Sequence, residues 1–217
     1  MSKTNALYTN IFLLVPNLVF YLRFVLLLMF VLFVGICPWL SIVFLASSTL
    51  LDGLDGFLAR NLNQTSRLGH ILDYTIDRVT IILAAYVILY YCPQYYLILC
   101  LVVLLDISSH FFHLNTSHVK GKDSHKEITP SMPKLLKWYY NNRMVLFFTC
   151  FFHDLLLGFI LVDHFYPNHT WIKMIIYLSC PGFVFKTITH IVQLITALIQ
   201  TAEMDVLQKQ LKGPPCS

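Results

Sequence analysis

The sequence predicts an all-α polytopic membrane protein, and three observations carry that expectation. Hydrophobic residues make up 57% of the 217 and charged residues 12%, against about 45–50% and about 25% in soluble domains. Mean hydropathy is +0.68; a soluble core of this size could not enclose so much apolar surface, so the excess must face lipid. The apolar residues also fall into six stretches near the length, about 20 residues, that a helix needs to cross a bilayer. A chain this long is one domain by default, and residues 1–217 are read as a single membrane unit.

The expected spans are about 16–34, 39–61, 66–91, 95–114, 144–162 and 171–201. The first opens at Pro16 and the second directly after Pro38. The third follows a short connection, the fourth begins just past Pro93, and the sixth follows Pro167. Pro38, Pro93 and Pro167 stand between spans, where a missing backbone donor costs least. Ahead of the first span, Asn10-Ile11-Phe12-Leu13-Leu14-Val15 reads equally as a short interfacial helix or as an apolar extension.

Charge placement orients the bundle. The connections near 35–38, 91–94 and 163–170 hold no Lys or Arg, whereas 60–67 holds Arg60 and Arg67. The stretch 115–143, read as a solvated loop, holds six of the fifteen: Lys120, Lys122, Lys126, Lys134, Lys137 and Arg143. The positive-inside bias therefore puts these two connections, and both termini, on the cytoplasmic side. No nucleic-acid partner is expected. The six cysteines show no C-x-x-C spacing and are read as inert thiols, with Cys37 and Cys92 the one pair whose loops share a side.

Ionisable groups inside a span are costly and are functional hypotheses by default. The second and third spans carry four aspartates: Asp52 and Asp55, three apart, and Asp73 and Asp77, four apart. Each pair shares one helix face. About residue 64, Asp55 and Asp73 are each nine residues away, Asp52 twelve and Asp77 thirteen. At about 1.5 Å of rise per residue, the carboxylates form two matched layers below the cytoplasmic surface. Four carboxylates this close cannot all stay ionised unless cations neutralise them. Salt bridges from Arg60, Arg67 and Arg78 are one solution. Two divalent ions are the better one; Mg²⁺ and Mn²⁺ favour oxygen ligands and often bridge carboxylates to phosphates.

The run Asp52-x-x-Asp55-Gly56-x-x-Ala59-Arg60, eight residues, Gly69, three residues, Asp73, three residues, Asp77 reproduces, at all eight specified positions, the signature of the CDP-alcohol phosphotransferase family. The chain is identified by this resemblance as a member. The resemblance implies that Asp52, Asp55, Asp73 and Asp77 ligate two divalent ions, with Asp77 also acting as general base on the attacking hydroxyl. It implies that Gly56, Ala59, Arg60 and Gly69 shape the pocket for the CDP-lipid. The reaction implied is displacement at the lipid-side phosphorus with CMP leaving, which a two-metal clamp suits.

Further stretches, among them 10–17, Leu62 to Gly69, Asp73 to Arg78 and Ser124-His125-Lys126, resemble the eukaryotic branch that couples CDP-diacylglycerol to myo-inositol. Other acceptors remain open at this point: glycerol phosphate, serine, choline or ethanolamine. A cation transporter using the acidic cage is the alternative from another class. His70 and Tyr74 depart from the branch, standing where a small residue and Met are expected. The family also implies a homodimer in the endoplasmic reticulum membrane, with the active site facing the cytoplasm.

Outside the signature, Asp106, His110 and His113 share a face of the fourth span and are expected to turn toward the substrate cavity. Ser124, His125 and Lys126 are expected near its mouth. Arg23, an intramembrane cation, is expected to contact the acidic hairpin or a substrate phosphate. Lys186 and His190, an i, i+4 pair in the sixth span, can reach the cavity but are assigned no role, and Asp154 is treated alike.

Overall fold

The computed structural model describes residues 11–119 and 132–212, and among these residues every regular element is helical. The helices are α1 (Val15–Phe33), α2 (Pro38–Asn61), α3 (Arg67–Tyr91), α4 (Tyr96–Val119), α5 (Lys134–Asn141), α6 (Arg143–Phe165) and α7 (Thr170–Lys212). A 3₁₀ turn, Pro93–Tyr95, leads into α4. Ser124, His125 and Lys126 lie outside the described residues, as do Lys120 and Lys122.

Among the described residues, five segments have the length and apolarity to cross a membrane: Val15–Phe33, Pro38–Asn61, Pro93–Thr116, Met144–Phe165 and Thr170–Val206. The third expected span, α3, is 25 residues long but is not among these five. It carries Arg67, Asp73, Asp77 and Arg78, and it is the central helix, packed against α1, α4 and α6.

Two expectations need correction. The last helix does not stop near 201; it continues to Lys212, 43 residues in all. At about 1.5 Å per residue it is about 65 Å long, twice the hydrocarbon thickness of about 30 Å. Hydropathy detects only the part in lipid, whereas a polar extension such as Thr201–Lys212 can remain helical in water. The 115–143 stretch is likewise not all loop. It contains the end of α4 and the eight-residue α5, whose Leu136 and Tyr139 are buried while Trp138 is half exposed. So short a polar helix has no hydropathy signal, and its packing against α6 and α7 holds it.

The bundle is polar in one half and apolar in the other. Leu27, Phe30 and Val34 of α1 pack with Ala84, Ala85 and Ile88 of α3 and with Leu157 and Leu161 of α6. All lie toward the end remote from the α2–α3 turn. In lipid such cores are held by close packing rather than by escape from water. Gly182 of α7 illustrates this: a Cβ there would stand 2.5 Å from the Cβ of Phe152 on α6. Cys37 and Cys92 are both free, so they do not bridge their loops.

The α2–α3 turn is held by its own backbone and by a tie to α1. The amide of Leu62 donates to Leu58 O at 2.9 Å and that of Gln64 to Ala59 O at 2.9 Å. Asn63 takes the left-handed conformation, φ 51°, which asparagine tolerates better than most residues. Ser66 caps α3 by accepting from the Gly69 amide at 2.9 Å. Gln64 Oε1 accepts from Val15 N at 2.9 Å, fixing the turn against the start of α1.

Candidate active site

The antiparallel α2–α3 hairpin brings Asp52 and Asp55 of one helix against Asp73 and Asp77 of the other, and α1 inserts Arg23 among them. Arg23 Nη1 lies 2.8 Å from Asp52 Oδ1, 2.9 Å from Asp55 Oδ2 and 3.7 Å from Asp73 Oδ1. Its Nη2 donates to Asp77 Oδ1 at 3.0 Å. One guanidinium, 2% exposed, thus reaches all four carboxylates, so the contact to the acidic hairpin anticipated for Arg23 is the one the structure has. Neither Arg60 nor Arg78 performs it.

If all four carboxylates are ionised, one cation leaves three negative charges to be balanced. Asp52, Asp55 and Asp73 each offer an oxygen within 4.8 Å of the others, an all-oxygen donor set of the kind hard divalent cations take. The acidic groups present therefore fit a divalent metal.

Three recesses meet at these residues. The first, about 300 Å³, lies beside the turn and is lined by Gly56, Ala59, Arg60 and Gly69, with Asn17 of α1 opposite. All four residues of the expected CDP-lipid set thus line one recess, which Asp55 and Asp73 also border. A Cβ on Gly69 would stand 3.1 Å from Ser66 Oγ and 3.2 Å from Asn17 Oδ1, so a larger residue would crowd this recess. The second is an apolar groove of about 150 Å³ between α2 and α6, running past Leu45, Leu50, Phe151 and Phe159 and ending at Asp52 and Asp154. The third, about 390 Å³, is the central cavity, and it touches all four aspartates and Arg23.

The far wall of that cavity comes from α3, α4, α5 and α7. Successive helical residues point about 100° apart, so Asp77 and Arg78 face different walls of one space. Arg78 is ion-paired with Asp106 and lies 2.9 Å from His110 Nδ1. Asp106 itself is 1% exposed and does not line the cavity; it stands behind the wall, with His190 Nδ1 3.5 Å away. The rings of His110 and His190 meet edge to face, centroids 4.9 Å apart. His113 is turned away from this group and stacks on Tyr140 at 5.9 Å. From α5, Tyr139 and Tyr140 close the cavity. Burial holds the Tyr139 phenol well above its usual pKa, so it stays a neutral hydroxyl.

Lys186 and His190 line the cavity with Gln193 and Asp154. From the sequence alone Lys186, His190 and Asp154 carry no role, and Gln193, Tyr139 and Tyr140 are not among the expected site residues. The i, i+4, i+7 stripe of Lys186, His190 and Gln193 on an apolar span was the signal available for α7; α5 offered none.

A bundle of long apolar helices thus encloses a cavity lined by four carboxylates. The sequence profile of the CDP-alcohol phosphatidyltransferase family matches residues 13–199, and the chain belongs to that family. Among the curated proteins it resembles the CDP-diacylglycerol–inositol 3-phosphatidyltransferase of Candida albicans, 36% identical over 94% of this chain and 88% of that one. It also resembles the enzyme of the same name from Rattus norvegicus, 34% identical over 94% of this chain and 98% of that one. That of Saccharomyces cerevisiae is 38% identical over 74% of this chain and 73% of that one. No solved structure gives a significant match.

Proposed function

We propose that this protein transfers the phosphatidyl group of CDP-diacylglycerol to myo-inositol, releasing CMP and forming phosphatidylinositol. The observation that carries the reading is the meeting of three chemically distinct recesses at one set of carboxylates. The recess at the hairpin turn suits the cytidine diphosphate, with Arg60 at its mouth. The apolar groove between α2 and α6 suits an acyl chain arriving from the bilayer. The central cavity is left for the polar acceptor. The names of the relatives support inositol as that acceptor.

In this reading Asp52, Asp55, Asp73 and Asp77 hold two divalent ions, Mg²⁺ or Mn²⁺. When bound, these ions supply charge neutralisation for the diphosphate and for the departing CMP. Gly56 and Gly69 let the nucleotide approach the backbone closely, and Asn17 and Ser66 stand across from it. Asp77 takes the proton of the attacking inositol hydroxyl. The hydroxyl oxygen forms the new bond to the lipid-side phosphorus, and the bond from that phosphorus to the bridging oxygen breaks. Arg23 holds the carboxylates together and orients Asp77.

We further propose that α3 is a sixth span whose charges face the cavity. The Lys and Arg bias toward the 60–67 connection and α5 supports a cytoplasmic active site and cytoplasmic termini. Residence in the endoplasmic reticulum and assembly as a homodimer rest on the family resemblance. The test is transfer of labelled myo-inositol into lipid by the purified protein, given CDP-diacylglycerol and Mg²⁺ or Mn²⁺. Inositol-dependent CMP release with labelled phosphatidylinositol is expected. Transfer only to glycerol phosphate, serine, choline or ethanolamine would replace the acceptor and keep the chemistry. Metal flux into liposomes without CDP-lipid would point to transport instead.

A further inference from the structure

Two buried donors on the far wall of the central cavity have no hydrogen-bond partner among the described residues: Gln193 Nε2 on α7 and Arg78 Nε on α3. Gln193 is 1% exposed and yet lines the cavity. A buried N–H without an acceptor is costly, and such groups are rare unless a ligand or water completes them. Gln193 also continues the face of α7 that carries Lys186 and His190, one helical turn apart each, and all three border the same space.

The formal charges on this wall cancel. Asp106 is ion-paired with Arg78 from behind, and Asp154, whose carboxylate lies 3.0 Å from His153 Nδ1, lines the cavity with Lys186. Arg78 Nη1 lies 2.9 Å from His110 Nδ1, and the same ring nitrogen lies 2.9 Å from the Asp106 carbonyl oxygen, so both neighbours hold the imidazole in place. A wall with open donors but no surplus positive charge suits a ligand rich in hydroxyls, each of which both donates and accepts. It does not suit a phosphorylated alcohol, whose dianion needs surplus cations that this wall lacks.

From this we infer that Lys186, His190 and Gln193 of α7, with Arg78 and His110 held by Asp106, form the acceptor subsite and select a neutral polyol over a phosphorylated alcohol. The inference rests on the transferase reading above and goes beyond it by assigning acceptor choice to these side chains. Asp106 acts as a positioning residue through Arg78 and His110. Gln193 Nε2 is the donor that reads one ring hydroxyl.

The experiment compares wild type with Gln193→Met and Lys186→Met, each keeping an unbranched side chain of similar length. Steady-state kinetics are measured against myo-inositol, a set of monodeoxyinositols and glycerol 3-phosphate. Folding is checked by thermal melting and by the KM for CDP-diacylglycerol. Gln193→Met is expected to raise the KM for myo-inositol about tenfold, as loss of one buried hydrogen-bond donor implies. The KM for CDP-diacylglycerol stays within about twofold. Wild type discriminates against the monodeoxyinositol that lacks the hydroxyl read by Gln193, and in Gln193→Met that discrimination disappears, which mere loosening of the helix would not produce. Unchanged inositol KM, parallel shifts in both substrates, or retained discrimination would overturn the assignment. So would wild-type turnover of glycerol 3-phosphate as efficient as that of myo-inositol. A wild-type protein that makes no phosphatidylinositol would sink the acceptor reading itself, an outcome distinct from variants that behave like wild type.

Discussion

Replacing Arg23 by Met removes the only cation that reaches all four signature carboxylates among the described residues. Its Nη1 stands 2.8 and 2.9 Å from Asp52 and Asp55, and its Nη2 stands 3.0 Å from Asp77. Removing one partner of a buried ion pair costs about 3–5 kcal/mol, because the other partner stays buried without compensation. Here the carboxylates keep part of their hydration, the side chains of Asp52, Asp73 and Asp77 being 40%, 25% and 29% exposed. Screening therefore favours the lower end, about 3 kcal/mol. For a chain of this length each kcal/mol moves the melting temperature by about 3 °C, so Arg23→Met should melt about 9 °C below wild type in chelator. Divalent cations bound by the same carboxylates would restore most of that loss. The assay is thermal unfolding in detergent, with EDTA and again with millimolar Mg²⁺ or Mn²⁺. If Arg23→Met melts within about 2 °C of wild type in EDTA, the carboxylates do not repel one another as the geometry requires.

Other substitutions probe separate parts of the structure. Asp77→Asn keeps the shape but removes the proton acceptor, so phosphatidylinositol formation should fall about 10²–10⁴-fold in protein that still melts cooperatively. Chelation should abolish turnover and Mg²⁺ or Mn²⁺ should restore it, measured as CMP release; full activity in EDTA would remove the metals from the reading. Gly182→Ala places a Cβ 2.5 Å from Phe152 Cβ and should cost about 1–3 kcal/mol by overpacking. Gly158→Ala, with nothing within 4 Å of the new Cβ, should melt like wild type and serves as its control.

The hairpin could be read from residue spacing because helical geometry is local. Intervals of three and four place Asp52 with Asp55 and Asp73 with Asp77, and the short turn between two apolar runs folds one pair onto the other. The spans of α1, α2, α4 and α6 were legible for a related reason: in lipid, an apolar run of sufficient length has no alternative to a helix that satisfies its own backbone. Where the environment changes from lipid to water that logic stops, so α5 and the end of α7 left no hydropathy signal. The position of α3 at the centre of the bundle was equally beyond reach, since its charges are tolerated only because neighbouring helices surround it.

By itself, then, the sequence determined the membrane class, the acidic hairpin and the signature that names the family, all of which depend on residues near one another in the chain. The tertiary structure decided which cation sits among the carboxylates and what faces them across the cavity. Arg23 is 29 residues before Asp52, and Gln193 is 116 after Asp77; no helical periodicity connects such positions. They meet because α1 packs along α2 and α3, and because α7 packs along α4 and α6. Those choices depend on the shapes of helix faces, Gly182 against Phe152 among them, and shape complementarity between distant segments is written in no local pattern of residues.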